Sequence, residues 1–327
     1  MKVCFVVKDL RVGSALLRGY QVSQALSQLG VLSRTIDWDG LTTEVLSDLD
    51  DWDIVLFVKE WSPDLAAKIK QQTSARLILD VYDNYNLHKT IDREGDHCEL
   101  VDAFIVTGVY HQIALKRWFL GEDRPIGIIP HHHTNFASVV NDITKPIKTV
   151  GFQGDFSNHL SRALERKLQH FCDSHNLEWL TFYGQKTAKQ CVDLPFMEVN
   201  NIIHHQLSLI DVGIIFPPKR VPGKPPPSVH DPLFELLLYK PATRLLNFLS
   251  HGVPTICYPY ISHLEVCVQS GYELFCNDEQ CLFDLLERLV RDQGLRQSVF
   301  EQGQVIASRY SLDLIAPMYV AFFESLV

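Results

Sequence analysis

Lys240-Pro241-Ala242-Thr243-Arg244 is the stretch of this chain whose residue types are best suited to chemistry. Proline is favoured in the first turn of a helix, and a threonine there offers its hydroxyl to the free backbone amides. The following residues, Leu245 to His251, have helical spacing; Gly252 then ends the helix, and Val253-Pro254 leads into a buried strand. Cations at a helix amino end oppose its dipole, yet Lys240 and Arg244 flank this one. An anion removes the conflict. The free amides near Ala242 and Thr243, with both side-chain charges, fit a phosphate or diphosphate.

Other candidates lie in the first half. Asp83 follows the predicted strand Leu77–Val81, where its carboxylate can orient a hydroxyl or act as a general base; a lone aspartate there is more often a turn former or helix cap. His131-His132-His133 follow the last predicted strand of that half. Adjacent histidines in an extended segment point to alternate sides and seldom ligate one ion, so no metal is expected, and His131 is the one expected to touch substrate. Gly13-Ser14 lies between the first strand and a helix. It is not a G-x-G-x-x-G fingerprint, but small residues there let a ligand approach the backbone.

These residues need a scaffold, and short β-branched runs alternate with helical patterns almost throughout, as in βαβ units. The first-half strands are expected at Val3–Val7, Arg34–Trp38, Ile54–Val58, Leu77–Val81, Ala103–Thr107 and Ile126–Pro130. Helices are expected at Leu16–Leu29, Asp64–Gln71 and Val109–Trp118. After a linker at Asn141–Lys148, strands are expected at Thr149–Gln153, Trp179–Tyr183, Val212–Phe216, Thr255–Tyr258 and Leu274–Cys276. Helices there are His159–Cys172, Thr243–His251, Glu279–Arg291, Leu295–Arg309 and the terminal Ser311–Leu326. The expectation is two tandem Rossmann-like α/β domains, 1–145 and 146–309, facing a deep cleft, with 310–327 crossing back as a helix. Prolines 217, 218, 222, 225, 226, 227 and 232, mixed with Lys219, Arg220 and Lys224, forbid a helix or central strand. They read as a semi-rigid loop or a basic lid.

Composition narrows the class. A chain of 327 residues with net charge −9 is too acidic for a protein whose main task is gripping nucleic acid. No apolar run is long enough to cross a bilayer, and the Val3–Val7 run reads as a strand rather than a leader. Lys116-Arg117 beside Trp118 and Phe119 allows a peripheral membrane contact. The eight cysteines are scattered without a C-x-x-C pair, which argues against a disulfide scaffold and for a reducing cytoplasm.

Lys240–Leu246 followed by Gly252-Val253-Pro254 resembles the nucleotide-sugar site of GT-B-fold glycosyltransferases, most of all the retaining "group 1" family. Asp211-Val212-Gly213-Ile214 is similar to the strand before that family's donor loop, and Arg18-Gly19-Tyr20 with Ala25-Leu26 and Leu29-Gly30 resembles its first acceptor-side helix. The resemblance implies a metal-independent hexosyltransferase with no tightly bound cofactor. It would take a UDP-, GDP- or ADP-sugar on the C-terminal domain and a glycan, lipid-linked or small-molecule hydroxyl acceptor on the N-terminal one. It implies donor contacts by Lys240, Ala242, Thr243, Arg244, Asn247 and Glu265 and an acceptor-side place for Arg18; position after the predicted strands puts Gly13 and Ser14 on the acceptor or sugar side and makes Asp83 and His131 the catalytic candidates, with Glu235 beside them.

The sequence departs from the family pattern in two places. Tyr239 and Asn247 stand where the family has paired glutamates, so Glu235 is the nearby carboxylate able to substitute. Phe152-Gln153-Gly154-Asp155 lacks the basic residue usual after the first strand of the C-terminal domain, leaving Lys240, Arg244 and Arg220 to compensate. The alternatives are an inactive relative that binds nucleotide-sugar or glycan, and a nucleotide-sugar epimerase.

Overall fold

The computed structural model describes residues 1–9, 13–42, 45, 51–82, 99–118, 124–154, 160–183, 196–217 and 240–327. Two compact units emerge. One comprises Met1–His132, Leu312–Val327 and, from the stretch Val229–Pro241, the described Lys240 and Pro241; the other comprises His133–Ser228 and Ala242–Ser311.

The first unit is a parallel six-stranded sheet: β1 (Lys2–Val7), β2 (Leu32–Asp37), β3 (Ile54–Val58), β4 (Arg76–Asp80), β5 (Ala103–Val106) and β6 (Ile126–Ile128), in the order β2-β1-β3-β4-β5-β6. β1, β3, β4 and β5 are nearly unbroken apolar runs because both faces of a parallel sheet are covered. The register pairs Val58 with Asp80 and Asp80 with Ile105, so the strands end together along one edge. The first helix departs from expectation. Ala15–Gln21 is π-helical and passes into α1 (Val22–Gln28), so Arg18 lies on a wider turn than α-helical spacing gives.

α2 (Pro63–Gln72) starts where Ser62 accepts from the Leu65 amide and Pro63 takes the first turn. α3 (Val109–Trp118) exposes Val109, Tyr110 and Ile113 beside Lys116. The side chains of Arg117 and Trp118, and Phe119 altogether, lie outside the described residues.

The second unit has β7 (Thr149–Gly154), α4 (Arg162–Ser174), β8 (Glu178–Tyr183), α5 (Phe196–Ser208), β9 (Val212–Ile215), α6 (Thr243–Ser250), β10 (Thr255–Cys257), α7 (Ile261–Cys267), α8 (Glu279–Arg291) and α9 (Gln293–Ser308). Its sheet is parallel, ordered β10-β9-β7-β8, and the expected strand at Leu274–Cys276 is reduced to a single parallel bridge, Cys257 to Phe275. α4, α8 and α9 start at Ser161, Asp278 and Asp292, each accepting from the amide three residues on. The last helix, α10 (Leu312–Glu324), belongs to the first unit. The described cysteines Cys4, Cys172, Cys257, Cys267, Cys276 and Cys281 are free thiols, and no described helix is long and apolar enough to cross a membrane.

Candidate functional site

Two polar clusters form, one in each unit, at the carboxyl ends of the strands. That edge is where open parallel sheets bind ligands.

In the second unit the site begins with α6. Its first residue is Thr243; Pro241 therefore precedes the helix rather than occupying its first turn, and Ala242 is the N-cap, with no side chain capping the end. Thr243 does not act as a cap either: its Oγ1 is buried and makes no hydrogen bond among the described residues. No acidic residue sits in the first turn, so the helix's positive end meets Arg244 instead of a carboxylate. The Arg244 guanidinium lies over the Phe152 ring, 5.1 Å from its centre, at the carboxyl end of β7. The other end of α6 is closed by a Schellman turn: Gly252 has φ +72°, its amide donates to Leu249, and the Val253 amide donates to Phe248.

Asn247 lies on α6 with Thr243 and Arg244 but is turned to internal work. It is buried, and its Oδ1 accepts from the Thr134 amide at 2.9 Å and the Thr134 hydroxyl at 3.2 Å. Asn135 Nδ2 donates to Ser250 O and Val139 O, both at 2.7 Å, so residues 134–139 are pinned along α6. Beyond them His251 Nδ1 donates to Asn247 O at 2.7 Å, which leaves its Nε2 to accept from His204 Nδ1 at 2.6 Å. Burial, opposed in part by the Asn247 contact and assisted by His204 and His133, lowers the His251 pKa to about 4. Glu265 sits half-buried in α7, close enough to Tyr310 to help raise its phenol, an effect in which burial leads.

In the first unit the hub is Arg18, wholly buried. Its Nε donates to Asp80 at 2.8 Å, and its Nη1 donates to Ile129 O at 2.9 Å and Pro130 O at 3.0 Å. Asp80 also accepts from the Tyr82 amide at 3.2 Å and the Tyr319 hydroxyl at 3.5 Å. His131, held next to Pro130, is buried edge-on to Tyr82, with ring centres 4.7 Å apart. Burial and the Arg18 charge hold its imidazole well below the usual pKa. Lys59 and Tyr82, at the ends of β3 and β4, both have positive φ (67° and 50°), backbone strain of the kind found at functional edges. Ser14 is buried at the start of the π-helical segment, whereas Gly13 is exposed with open space where a Cβ would stand.

Thus Thr243, Arg244 and Asn247 share one helix, Arg18 and His131 share one cluster, and Lys240 is buried in the first unit. Asp83, Glu235, Tyr239 and Arg220 lie outside the described residues. Among the described residues no three His, Cys, Asp or Glu side chains converge as a metal site. Sequence reading missed Asp80 and Tyr319. Asp80 had one visible signal, a carboxylate closing an apolar strand, which requires a buried partner.

No protein-family model matches the sequence, and no curated protein matches it. Solved structures do. The Anabaena protein HepE, in complex with UDP and glucose, superposes with a TM-score of 0.66 at 11% identity, covering 99% of this chain and 100% of that one. The fold is GT-B. An α,α-trehalose 6-phosphate synthase from Burkholderia multivorans (TM-score 0.62, 10% identity) and a glycosyltransferase from Rickettsia africae (0.60, 11%) each cover 99% of this chain and 98% of their own.

Proposed function

We propose that this protein is a glycosyltransferase that moves a sugar from a nucleotide-sugar donor to a hydroxyl acceptor. One observation carries the reading: in a fold shared end to end with UDP-bound HepE, α6 begins, among the described residues, with no capping side chain, a buried Thr243 hydroxyl without a hydrogen bond and the Arg244 cation. Developing negative charge on a leaving diphosphate is what such an end stabilises, through fixed amides and a fixed cation that need little reorganisation. Residues 146–309 are the donor side, with Ala242, Thr243 and Arg244 at the diphosphate. Asn247, through its remaining amide nitrogen, and Glu265 serve the nucleotide or sugar. Residues 1–145 are the acceptor side, where Gly13, Ser14 and Arg18 shape the sheet edge and Asp83 and His131, with Glu235, serve the reacting groups. His131 is held neutral by burial and Arg18, so it acts as a hydrogen-bonding imidazole rather than a cation. UDP is the first nucleotide to test, since HepE is seen with UDP and with UDP-glucose. Retention of anomeric configuration belongs to the same reading.

The test is a thermal-shift screen of UDP, GDP, ADP and their sugars on the wild type and Arg244→Ala. A nucleotide at about 100 times its dissociation constant stabilises by roughly 2.7 kcal/mol, and Arg244→Ala should lose most of that shift. Equal shifts in both proteins remove Arg244 from the site; silence from every nucleotide ends the donor reading.

A second reading, binding without transfer, is favoured by Asn247. It stands at a family glutamate position, and its oxygen is already committed to Thr134. Hydrolysis or transfer of a bound nucleotide-sugar excludes it.

A further inference from the structure

We propose that Gly154 and Phe152 are positioning residues that carry the Arg244 guanidinium to the carboxyl end of β7, where it supplies a cation that the β7 end itself lacks. The inference rests on the donor reading above and adds to it the device that places the charge.

The strand end reads Phe152-Gln153-Gly154-Asp155, with no basic residue. The cation comes instead from the second residue of α6, and it is guided there by packing. A Cβ placed on Gly154 would stand 2.8 and 2.9 Å from two atoms of the Phe152 ring and 3.0 Å from Arg244 Nη2. Both groups therefore occupy the room that a side chain at 154 would need. The ring belongs to a wholly buried residue and has little freedom to retreat. A methyl group at 154 therefore presses on the ring and on the guanidinium that lies over it, and the guanidinium, the far end of a flexible side chain, is the group free to move away. The ring also supplies the platform, because the guanidinium lies over its face at 5.1 Å. A planar guanidinium can lay its face on such a ring, which a lysine ammonium cannot.

The arrangement predicts coupling, and a double-mutant cycle reads it. UDP and inorganic pyrophosphate are titrated into the wild type, Gly154→Ala, Phe152→Leu, Arg244→Ala and the two combinations with Arg244→Ala, with thermal unfolding recorded for each. Gly154→Ala and Phe152→Leu should each weaken both ligands about tenfold in the wild type and less than about twofold once Arg244 is gone, the non-additivity of residues acting through a shared partner. Arg244→Lys should behave nearer to Arg244→Ala than to wild type. If Gly154→Ala does not fold, Phe152→Leu carries the cycle alone.

Losses that persist at full size in the Arg244→Ala background overturn the proposal, since they mark a general packing role. So does wild-type affinity in both single variants. A wild type that binds neither UDP nor pyrophosphate overturns the donor reading itself and this inference with it.

Discussion

Arg18 and Asp80 meet across 62 positions of sequence with both side chains at zero exposure. Such a pair adds little net stability, because desolvation of both charges offsets their attraction, but breaking it leaves one charge stranded. Its effect here is geometric. One guanidinium holds the end of β4 to the carbonyls of Ile129 and Pro130, which sets His131, while its face lies 5.3 Å from the centre of the Tyr319 ring on α10. Asp80→Leu should therefore cost about 3–5 kcal/mol by denaturant titration. Adding Arg18→Met should recover more than half of that loss, because the stranded charge goes too. If the double variant is as unstable as the single one, the carboxylate matters for reasons other than its charge. The pair is invisible in the sequence for a physical reason. An arginine in a helical pattern and an aspartate ending a strand are ordinary alone, and only the fold brings them together.

At the level of elements the sequence is far more legible. Runs such as Ile54–Val58 and Ala103–Val106 can only be strands buried on both faces, and every expected strand of the first sheet forms within two residues of its expected bounds. Capped helices are equally readable, since Ser62 and Asp278 announce their starts. Three features escape. The π-helical Ala15–Gln21 follows no 3.6-residue period, so the pattern predicts a helix but not its wider turn. α5 (Phe196–Ser208) has no counterpart among the expected helices; its Val-Asn-Asn and His-His steps give a weak apolar stripe. α6 starts at the expected Thr243, but Pro241 stands just outside it rather than in its first turn, a position to which proline is equally suited.

The return of α10 to the first sheet depends on a small residue in β6. A Cβ on Gly127 would stand 2.9–3.0 Å from three atoms of the Phe322 ring, so the helix lies directly against the strand. Gly127→Val should destabilise the protein by about 1–3 kcal/mol through overpacking. Phe322→Ala in the same chain should relieve part of that loss. Additive effects of the two changes would show that α10 and β6 do not pack in the way described.

For the whole molecule, the buried histidines set the acid limit. Burial, reinforced by Arg18, lowers His111 to about 4 and holds His131 well below the usual range in one unit. In the other, burial lowers His251 to about 4 and draws His204 down as well. A histidine whose folded pKa is depressed binds its proton more readily in the unfolded chain. Its contribution is therefore fully present above about pH 6.5 and is lost as pH falls toward 4. His111 and His251 each remove roughly 1.4 kcal/mol per pH unit across that window. Denaturant midpoints measured at pH 7.5, 6 and 5 should thus fall more steeply than a surface-histidine protein would show. His251→Gln should make the decline shallower by about one proton's worth. An unchanged slope would mean that His251 charges freely in the folded state. The position of this residue gives the acid effect a direction. Protonation turns His251 Nε2 from acceptor to donor, so the hydrogen bond that must reorganise, with His204 Nδ1, is at the carboxyl end of α6, beside the segment pinned by Asn247 and Asn135. The histidines with depressed pKa in this unit, His204 and His251, lie at that carboxyl end and not beside Thr243 and Arg244. Nucleotide affinity per folded molecule should then hold between pH 7 and pH 6 while stability declines, and affinity falling in step with stability would show that the two ends of α6 are coupled.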